Sequence, residues 1–436
     1  MVNILLIGNG AREHCIAETF ARSNRNPRLF SYMKSKNLGI ARLSEKTMLG
    51  RYGDLEGICN FAKDNDVDFA FVGPEDPLNN GVVDALEKAG ISSIGPKKSA
   101  ARLETSKSFT RLLLQKYKIE GNPKFKVFDS AKGIKEFLLE LEGIVIKPDG
   151  LTGGKGVKVQ GDHFNTKEEA YSYCKEVLSE HPVVVIEEKL EGEEFSLQCL
   201  TDGKNIIATP PVQDHKRAYA GDKGPNTGGM GSYSCADHLL PFISKKDVEQ
   251  GIEITKKVAE AIHKETGDAY KGVMYGGFIV TRKGIKLLEY NARFGDPETM
   301  NVLPILKTDF VGMCMAIIEG KLDKITPEFD KKATVCKYAV PTGYPDNPVK
   351  KQKVEIGNTG KARLYYASVD EKEDGIYMTA SRAIGVVGIS EKIEDAEEIA
   401  EQGVKAIKGP VFHREDIGTK ALIQKRVEHM EKIRKG

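Results

Sequence analysis

The densest ligand chemistry in this sequence lies in Leu287-Leu288-Glu289-Tyr290-Asn291-Ala292-Arg293. Side chains two apart leave the same face of an extended strand, so Glu289 and Asn291 present two oxygen ligands side by side, and Arg293 follows on that face. A hard divalent cation takes carboxylate and amide oxygens together with phosphate oxygens. An arginine fork holds a carboxylate or a phosphoryl group. A structural salt-bridge cluster is the alternative use of the same residues.

Lys147-Pro148-Asp149-Gly150-Leu151-Thr152-Gly153-Gly154-Lys155-Gly156 ends an apolar run in a lysine and continues as a glycine loop with a second lysine. Glycines let amide groups approach phosphate oxygens, and Lys147 and Lys155 supply neutralising charge. Gly156 stands where a P-loop requires a hydroxyl, so this is a phosphate loop of another kind or a hairpin tip. The apolar run Val183–Ile186 opens into Glu187-Glu188-Lys189-Leu190-Glu191-Gly192-Glu193-Glu194. Backbone after such a strand can read an adenine edge, with Glu187 accepting from the amino group and Glu194 bonding the ribose; a solvated acidic loop is the competing reading.

Gly8-Asn9-Gly10 follows an apolar strand and opens a helix whose unpaired N–H groups suit one phosphate, or it is a structural tight turn. Glu13 stands where a dinucleotide fingerprint has its third glycine, and no clear apolar strand ending in an acid follows about 20 residues on, which argues against a nicotinamide site. Gly73-Pro74-Glu75-Asp76 ends another strand, where Glu75 could grip sugar hydroxyls or Glu75 or Asp76 could cap a helix. Gln213-Asp214-His215-Lys216-Arg217, with the glycine-rich stretch Gly224–Gly231, forms a charged loop able to close over a hydrolysable intermediate. His215 is a candidate acid–base group, with a positioning or surface role as its alternative.

The elements that must position these residues fall into three units. Residues 1–103 alternate short apolar strands with helices and predict a parallel βαβ domain. Residues 104–330 mix strands and helices, with a lid subdomain at about 122–192. Residues 331–436 predict a small α+β domain after the Pro327-containing connection. The expected fold class is therefore α/β and α+β multidomain, and a chain of 436 residues is long enough for it.

Sixty-five basic against 63 acidic residues leave no excess for a dedicated nucleic-acid binder. The 7 cysteines form no Cys-x-x-Cys pair, which fits reduced thiols. Met1 leads into Ile4–Ile7 without a basic leader, and Val311–Ile318 is far below the roughly 20 residues a membrane span needs. A cytoplasmic protein with no nucleic-acid or membrane partner, monomeric or a small homo-oligomer, is expected.

Taken together, the strand-end lysine, glycine loop, acidic hinge and Glu-x-Asn strand resemble the ATP-grasp superfamily. The wording GNGAREH, VGPEDPL, GPKKSAARLETSKSF, IVIKPDGLTGGKGV, VVIEEKLEGEEFSL, QDHKRAYAGDKGPNTGGMG and LEYNARFGDPET resembles the phosphoribosylamine-glycine ligase family along essentially the whole chain. That resemblance implies an ATP-grasp centre with Lys107, Lys147 and Lys155 on nucleotide phosphates, Glu187 and the Leu190 backbone on adenine, and Glu194 on ribose. It implies Mg2+ or Mn2+ on Glu289 and Asn291. It places 5-phosphoribosylamine against Gly8, Asn9, Gly10 and Glu75, and glycine near Arg293 and Asp214, with Arg293, Lys155 and Asp214 serving catalysis. Another ATP-grasp carboxylate-amine ligase or a carboxylase is the alternative, and a nucleotide sensor or nicotinamide enzyme a more distant one. Ala11, Pro148, Thr152-Gly153, the loop Ala218–Lys223 and Thr379-Ala380-Ser381-Arg382 depart from the family's usual wording, the last within the weaker C-terminal fit.

Overall fold

The computed structural model describes residues 1–151 and 156–435. The N-terminal strands form a five-stranded parallel sheet in the order Lys46–Leu49, Arg28–Met33, Asn3–Ile7, Phe69–Val72, Ser92–Ile94. The central strands Asn3–Ile7 and Phe69–Val72 are short, apolar and buried, the edge strand Lys46–Leu49 is largely exposed, and the helices between strands return the chain over a sheet face, as parallel pairing requires. Asn3–Ile7 pairs on one side with Arg28–Met33 and on the other with Phe69–Val72. Winding reverses there, so a crevice opens beyond the carboxyl ends of those two strands. Gly8–Gly10 and Gly73–Glu75 sit at those ends. Arg28–Met33 is a strand that the sequence pattern left obscure, because Arg28 and Ser31 interrupt its apolar run. It ends at Met33-Lys34, without the acid that a dinucleotide ribose requires.

Two antiparallel four-stranded sheets make up the central unit. One has the order Phe125–Phe128, Val184–Glu188, Ile144–Pro148, Lys158–Val159. It buries its own core, including Phe128, Phe137, Ile146, Cys174 and Ile186, beneath the helices Ile134–Leu139 and Lys167–Glu180. The other has the order Ile206–Ala208, Glu193–Thr201, Gly272–Thr281, Gly284–Asn291. It packs on the helix Lys245–Thr266, which begins at a Ser244–Asp247 capping box and stops at left-handed Gly267. The connector Lys189–Gly192 alone separates strand Val184–Glu188 of the first sheet from strand Glu193–Thr201 of the second.

A six-stranded sheet crosses residue 330. Gln213–Asp214 and Gly231–Ser234 join Ala333–Pro341, Ile384–Ser390 and Arg363–Tyr366, with Val411–Phe412 added at the end of Ala333–Pro341. Ser232 stands opposite Cys336 in this ladder. The segment bearing Asp214 is thus hydrogen-bonded into the sheet of the C-terminal strands. The N-terminal sheet, the second central sheet and this third sheet share one continuous core. Within it Phe294 lies between Phe71 and Phe310, at ring-centroid distances of 6.2 Å to each, which fixes the chain just beyond Arg293. Among the described residues, no helix is long and apolar enough to cross a membrane.

Candidate active site

The strand Gly284–Asn291 carries a bulge. Gly277 pairs with Glu289 and Phe278 with Leu287, so Leu288 has no opposite number. The Leu288 carbonyl accepts instead from Arg111 Nη2 at 2.7 Å and from Lys147 Nζ at 3.0 Å. Tyr290 turns inward and its hydroxyl meets Thr255 Oγ1 at 2.9 Å. Glu289 lines a cleft with Glu194, Asp214, Lys216, Tyr275 and Leu288. Lys216 Nζ stands 3.5 Å from Glu289 Oε1. That ammonium, aided by Lys147 and Lys107, overcomes burial and lowers the Glu289 carboxyl to about 2. Glu289 is therefore an anion at neutral pH, as a cation ligand must be.

Asn291 Oδ1 accepts from Arg293 Nη2 at 3.1 Å. Arg293 also reaches Glu75 Oε2 at 3.2 Å and Glu104 Oε1 at 2.9 Å, and donates to the Phe294 carbonyl at 3.2 Å. Its guanidinium is thus largely committed within the protein, and the two acids keep its pKa raised despite burial. Glu75, the first residue of the helix Glu75–Asn80, brings the N-terminal domain to this point. Burial pushes its carboxyl up, but Arg293 and Arg12 outweigh that and hold it at about 2. Glu104 accepts from the Ala292 N–H at 2.7 Å as well. Burial dominates there and pushes its carboxyl up to about 7.

Lys147 ends the strand Ile144–Pro148, and its ammonium lies 2.9 Å from Glu187 Oε2. Arg111 grips the same carboxylate through both oxygens, at 2.6 and 3.0 Å. Burial opposes charge on both sides of this triad. It lowers the Lys147 pKa, whereas Arg111 and Lys147 together leave Glu187 below its ordinary value against that burial. Lys107, at the start of the helix Lys107–Lys116, donates to the Gly150 carbonyl at 2.7 Å. Asp149 accepts from the Ser106 and Ser108 hydroxyls and the Ser108 N–H, so the entrance of the glycine loop is tied to that helix. Lys155 lies outside the described residues. Leu190 is half-buried in the connector between the two central sheets, and Glu194 is exposed at the cleft.

At the N-terminal crevice, Glu13 folds back so that its carboxylate takes the Gly10 N–H at 2.6 Å. A side chain at Gly8 or Gly73 would collide with Glu13 Cγ at 2.4 Å, so both glycines are required by this close approach. Asn9 donates to Ser35 Oγ at 2.9 Å and accepts from the Tyr52 hydroxyl.

Asp214 accepts from the His215 N–H at 2.7 Å. Burial and neighbouring Glu298 raise its pKa well above the ordinary range. His215 is 2% exposed, which excludes a surface role. Neither ring nitrogen has a partner among the described residues. Burial, with Arg414 and Arg426 nearby, lowers its pKa to about 3, so it is neutral and poorly suited to proton transfer at neutral pH. Sequence reasoning assigned no role to Arg111, Glu104, Lys216 or Glu298. Lys216 lay within a stretch already marked as charged, and Glu104 and Glu298 lay within wording that carries the family resemblance; Arg111 has no local signal.

Two α+β lobes joined by a short hinge, with lysines on one side of the cleft and an acid-amide strand on the other, define an ATP-grasp enzyme. The family models described as phosphoribosylglycinamide synthetase N domain, ATP-grasp (A) domain and C domain match residues 2–104, 105–299 and 334–420. The chain belongs to the phosphoribosylglycinamide synthetase family. It is 51% identical over 435 residues to the phosphoribosylamine–glycine ligase of Methanosarcina acetivorans, covering 100% of this chain and 98% of that one. It is also 51% identical over 447 residues to the Methanocaldococcus jannaschii protein of the same name, covering 100% of both. The crystal structure of phosphoribosylamine–glycine ligase from Thermotoga maritima superposes with a TM-score of 0.81 at 27% identity, covering 95% of this chain and 100% of that one. The biotin carboxylase domain of the Hydrogenobacter thermophilus 2-oxoglutarate carboxylase shares the fold, with a TM-score of 0.74 at 15% identity, covering 98% of this chain and 93% of that one.

Proposed function

We propose that this protein joins glycine to 5-phosphoribosylamine at the expense of ATP, through a glycyl phosphate, giving glycinamide ribonucleotide, ADP and phosphate in purine biosynthesis in the cytoplasm. Family membership along the chain supports the substrates. The observation that carries the chemistry is Glu289, held anionic by Lys216 in a cleft shared with Asp214. One carboxylate and one amide oxygen are a sparse donor set, which fits Mg2+ or Mn2+ that completes its shell with nucleotide oxygens. Such an ion, held by Glu289 and Asn291, supplies neutralising charge at the phosphates when bound.

In this reading Lys107 and Lys147 hold the nucleotide phosphates, with Lys155 following on the glycine loop. The Leu190 backbone and the lone pair that Arg111 and Lys147 leave on Glu187 take the adenine edge, and Glu194 takes the ribose. Gly8, Asn9, Gly10 and Glu75 receive 5-phosphoribosylamine at the crevice, while Asp214 and Arg293 hold glycine. A glycine carboxylate oxygen attacks the γ-phosphorus and ADP leaves. The amine nitrogen then attacks the acyl carbon, phosphate leaves, and the nitrogen loses a proton as the amide forms. Positioning and charge stabilisation provide the catalysis, so no protein nucleophile is needed. The working units are 1–103, 104–330 with a lid at about 122–192 that has its own core, and 331–436. ADP release from purified protein with ATP, Mg2+, glycine and 5-phosphoribosylamine, each omitted in turn, tests the assignment. Turnover that persists without glycine, or that needs bicarbonate instead, refutes it in favour of another ATP-grasp chemistry.

A further inference from the structure

We propose that Arg382, from the C-terminal domain, is a positioning residue for the glycine end of the site, clamping two segments together without touching substrate. The inference rests on the ligase reading above. Arg382 Nη1 donates to the carbonyls of Gly228 at 2.6 Å, Gly229 at 3.0 Å and Asp296 at 3.0 Å. It also lies 3.3 Å from Asp296 Oδ1. Three carbonyl oxygens from two distant segments converge on one nitrogen. Without a cation between them, their like partial charges would face one another, the Gly229 and Asp296 oxygens in part-buried positions.

Each clamped segment carries a residue of the glycine site. Asp296 follows Arg293 by three positions on the same stretch. Gly229 presses directly on Asp214: a Cβ there would come within 2.7 Å of Asp214 Oδ1 and 2.6 Å of Pro297 Cδ. The clamp thus sets how the glycine-rich loop lies over Asp214 and how far that loop stands from the Arg293 segment. Arg382 is itself held. Its guanidinium carbon sits 4.5 Å from the Tyr338 ring centroid, and the Tyr338 hydroxyl donates to Asp296 Oδ1 at 2.5 Å. The Tyr338 N–H binds the Met230 carbonyl at 2.9 Å, which ties the same loop to the strand beneath. A planar fork that stacks on an aromatic ring while bonding several carbonyls is a task for arginine, and lysine meets it only in part.

The test is steady-state kinetics of Arg382→Ala and Arg382→Lys, with each substrate varied in turn and thermal melts alongside. In R382A the KM for glycine should rise about tenfold or more, while the KM for ATP stays within about twofold, since Lys147 and Glu187 lie outside the clamp. R382K should fall between R382A and wild type, and added guanidinium ion should restore part of the R382A activity. An unchanged KM for glycine in R382A overturns the proposal, as does an equal rise for all substrates that follows the drop in melting temperature. Should R382A fail to fold, R382K carries the test, and wild-type glycine affinity in it overturns the clamp. Wild-type protein that does not turn over glycine at all refutes the ligase reading itself, a result separable from either outcome for Arg382.

Discussion

Glu104 gives the sharpest pH-dependent prediction. Its carboxylate bonds the Ala292 N–H at 2.7 Å and Arg293 Nη2 at 2.9 Å, so it fixes both backbone and side chain of the stretch between Asn291 and Arg293. Burial raises its pKa from an ordinary 4.5 to about 7, with Arg293 pulling the other way. Above that pH the ionised form orients Arg293; below it Arg293 keeps Glu75 as its one ion-pair partner among the described residues. Glu104→Gln retains the acceptor for Ala292 but loses the charge, which costs about 1.5–3 kcal/mol of charge-assisted bonding, or roughly tenfold to hundredfold in rate. Measured by ADP release across pH 6 to 9 (about the range that brackets the titration), wild type should show an acid limb near 7 in kcat/KM for glycine, and E104Q should lack it. The two should converge as the pH falls. A wild-type-to-mutant ratio that is constant with pH refutes the reasoning. Stability should move in the opposite sense. A raised carboxyl pKa means that the folded state binds the proton more tightly, so stability falls as pH rises from about 4.5 to about 7 and is flat above, by about 3 kcal/mol in all. E104Q should flatten that slope in urea unfolding.

Three further outcomes are expected. Glu289→Ala should abolish divalent-cation-dependent turnover while leaving circular dichroism and melting near wild type, and retained turnover would remove Glu289 from metal binding. Glu187→Gln leaves Lys147 and Arg111 buried together without their shared anion, and should destabilise the chain by about 3–5 kcal/mol in urea unfolding; replacing Lys147, Arg111 and Glu187 together by methionine should recover much of this, and losses that add across the three sites would count against a coupled triad. Gly229→Ala adds a Cβ at left-handed φ of 105°, 2.6 Å from Pro297 Cδ, and should cost about 1–3 kcal/mol together with most of the activity; a fully active, equally stable G229A would contradict the packing of that loop on Asp214.

Much of the candidate site's layout was legible because its signals are local. Glu289, Asn291 and Arg293 stand at strand spacing, and Lys147 marks a strand end before glycines. The glycine corners at Gly8 and Gly73 betrayed the N-terminal crevice even though the strand Arg28–Met33 between them was obscured by Arg28 and Ser31. The charges that tune these residues were illegible for an equally plain reason: Arg111 lies 76 residues from Glu187, Glu104 lies 188 from Ala292, and Arg382 lies 153 from Gly229. No period or motif links such pairs. The same distance hid the sheet that carries Gln213–Asp214 across residue 330 into the C-terminal strands.

Strands and glycine corners, and therefore which side chains share a face, are written in the order of the amino acids, because backbone sterics and side-chain alternation act over a few residues. The commitment of Arg293 to Glu75 and Glu104, the lowering of the Glu289 carboxyl by Lys216, and the burial of His215 as a neutral ring arise from the packed fold. Desolvation and Coulomb interaction depend on distance through space, and the packed chain alone sets that distance.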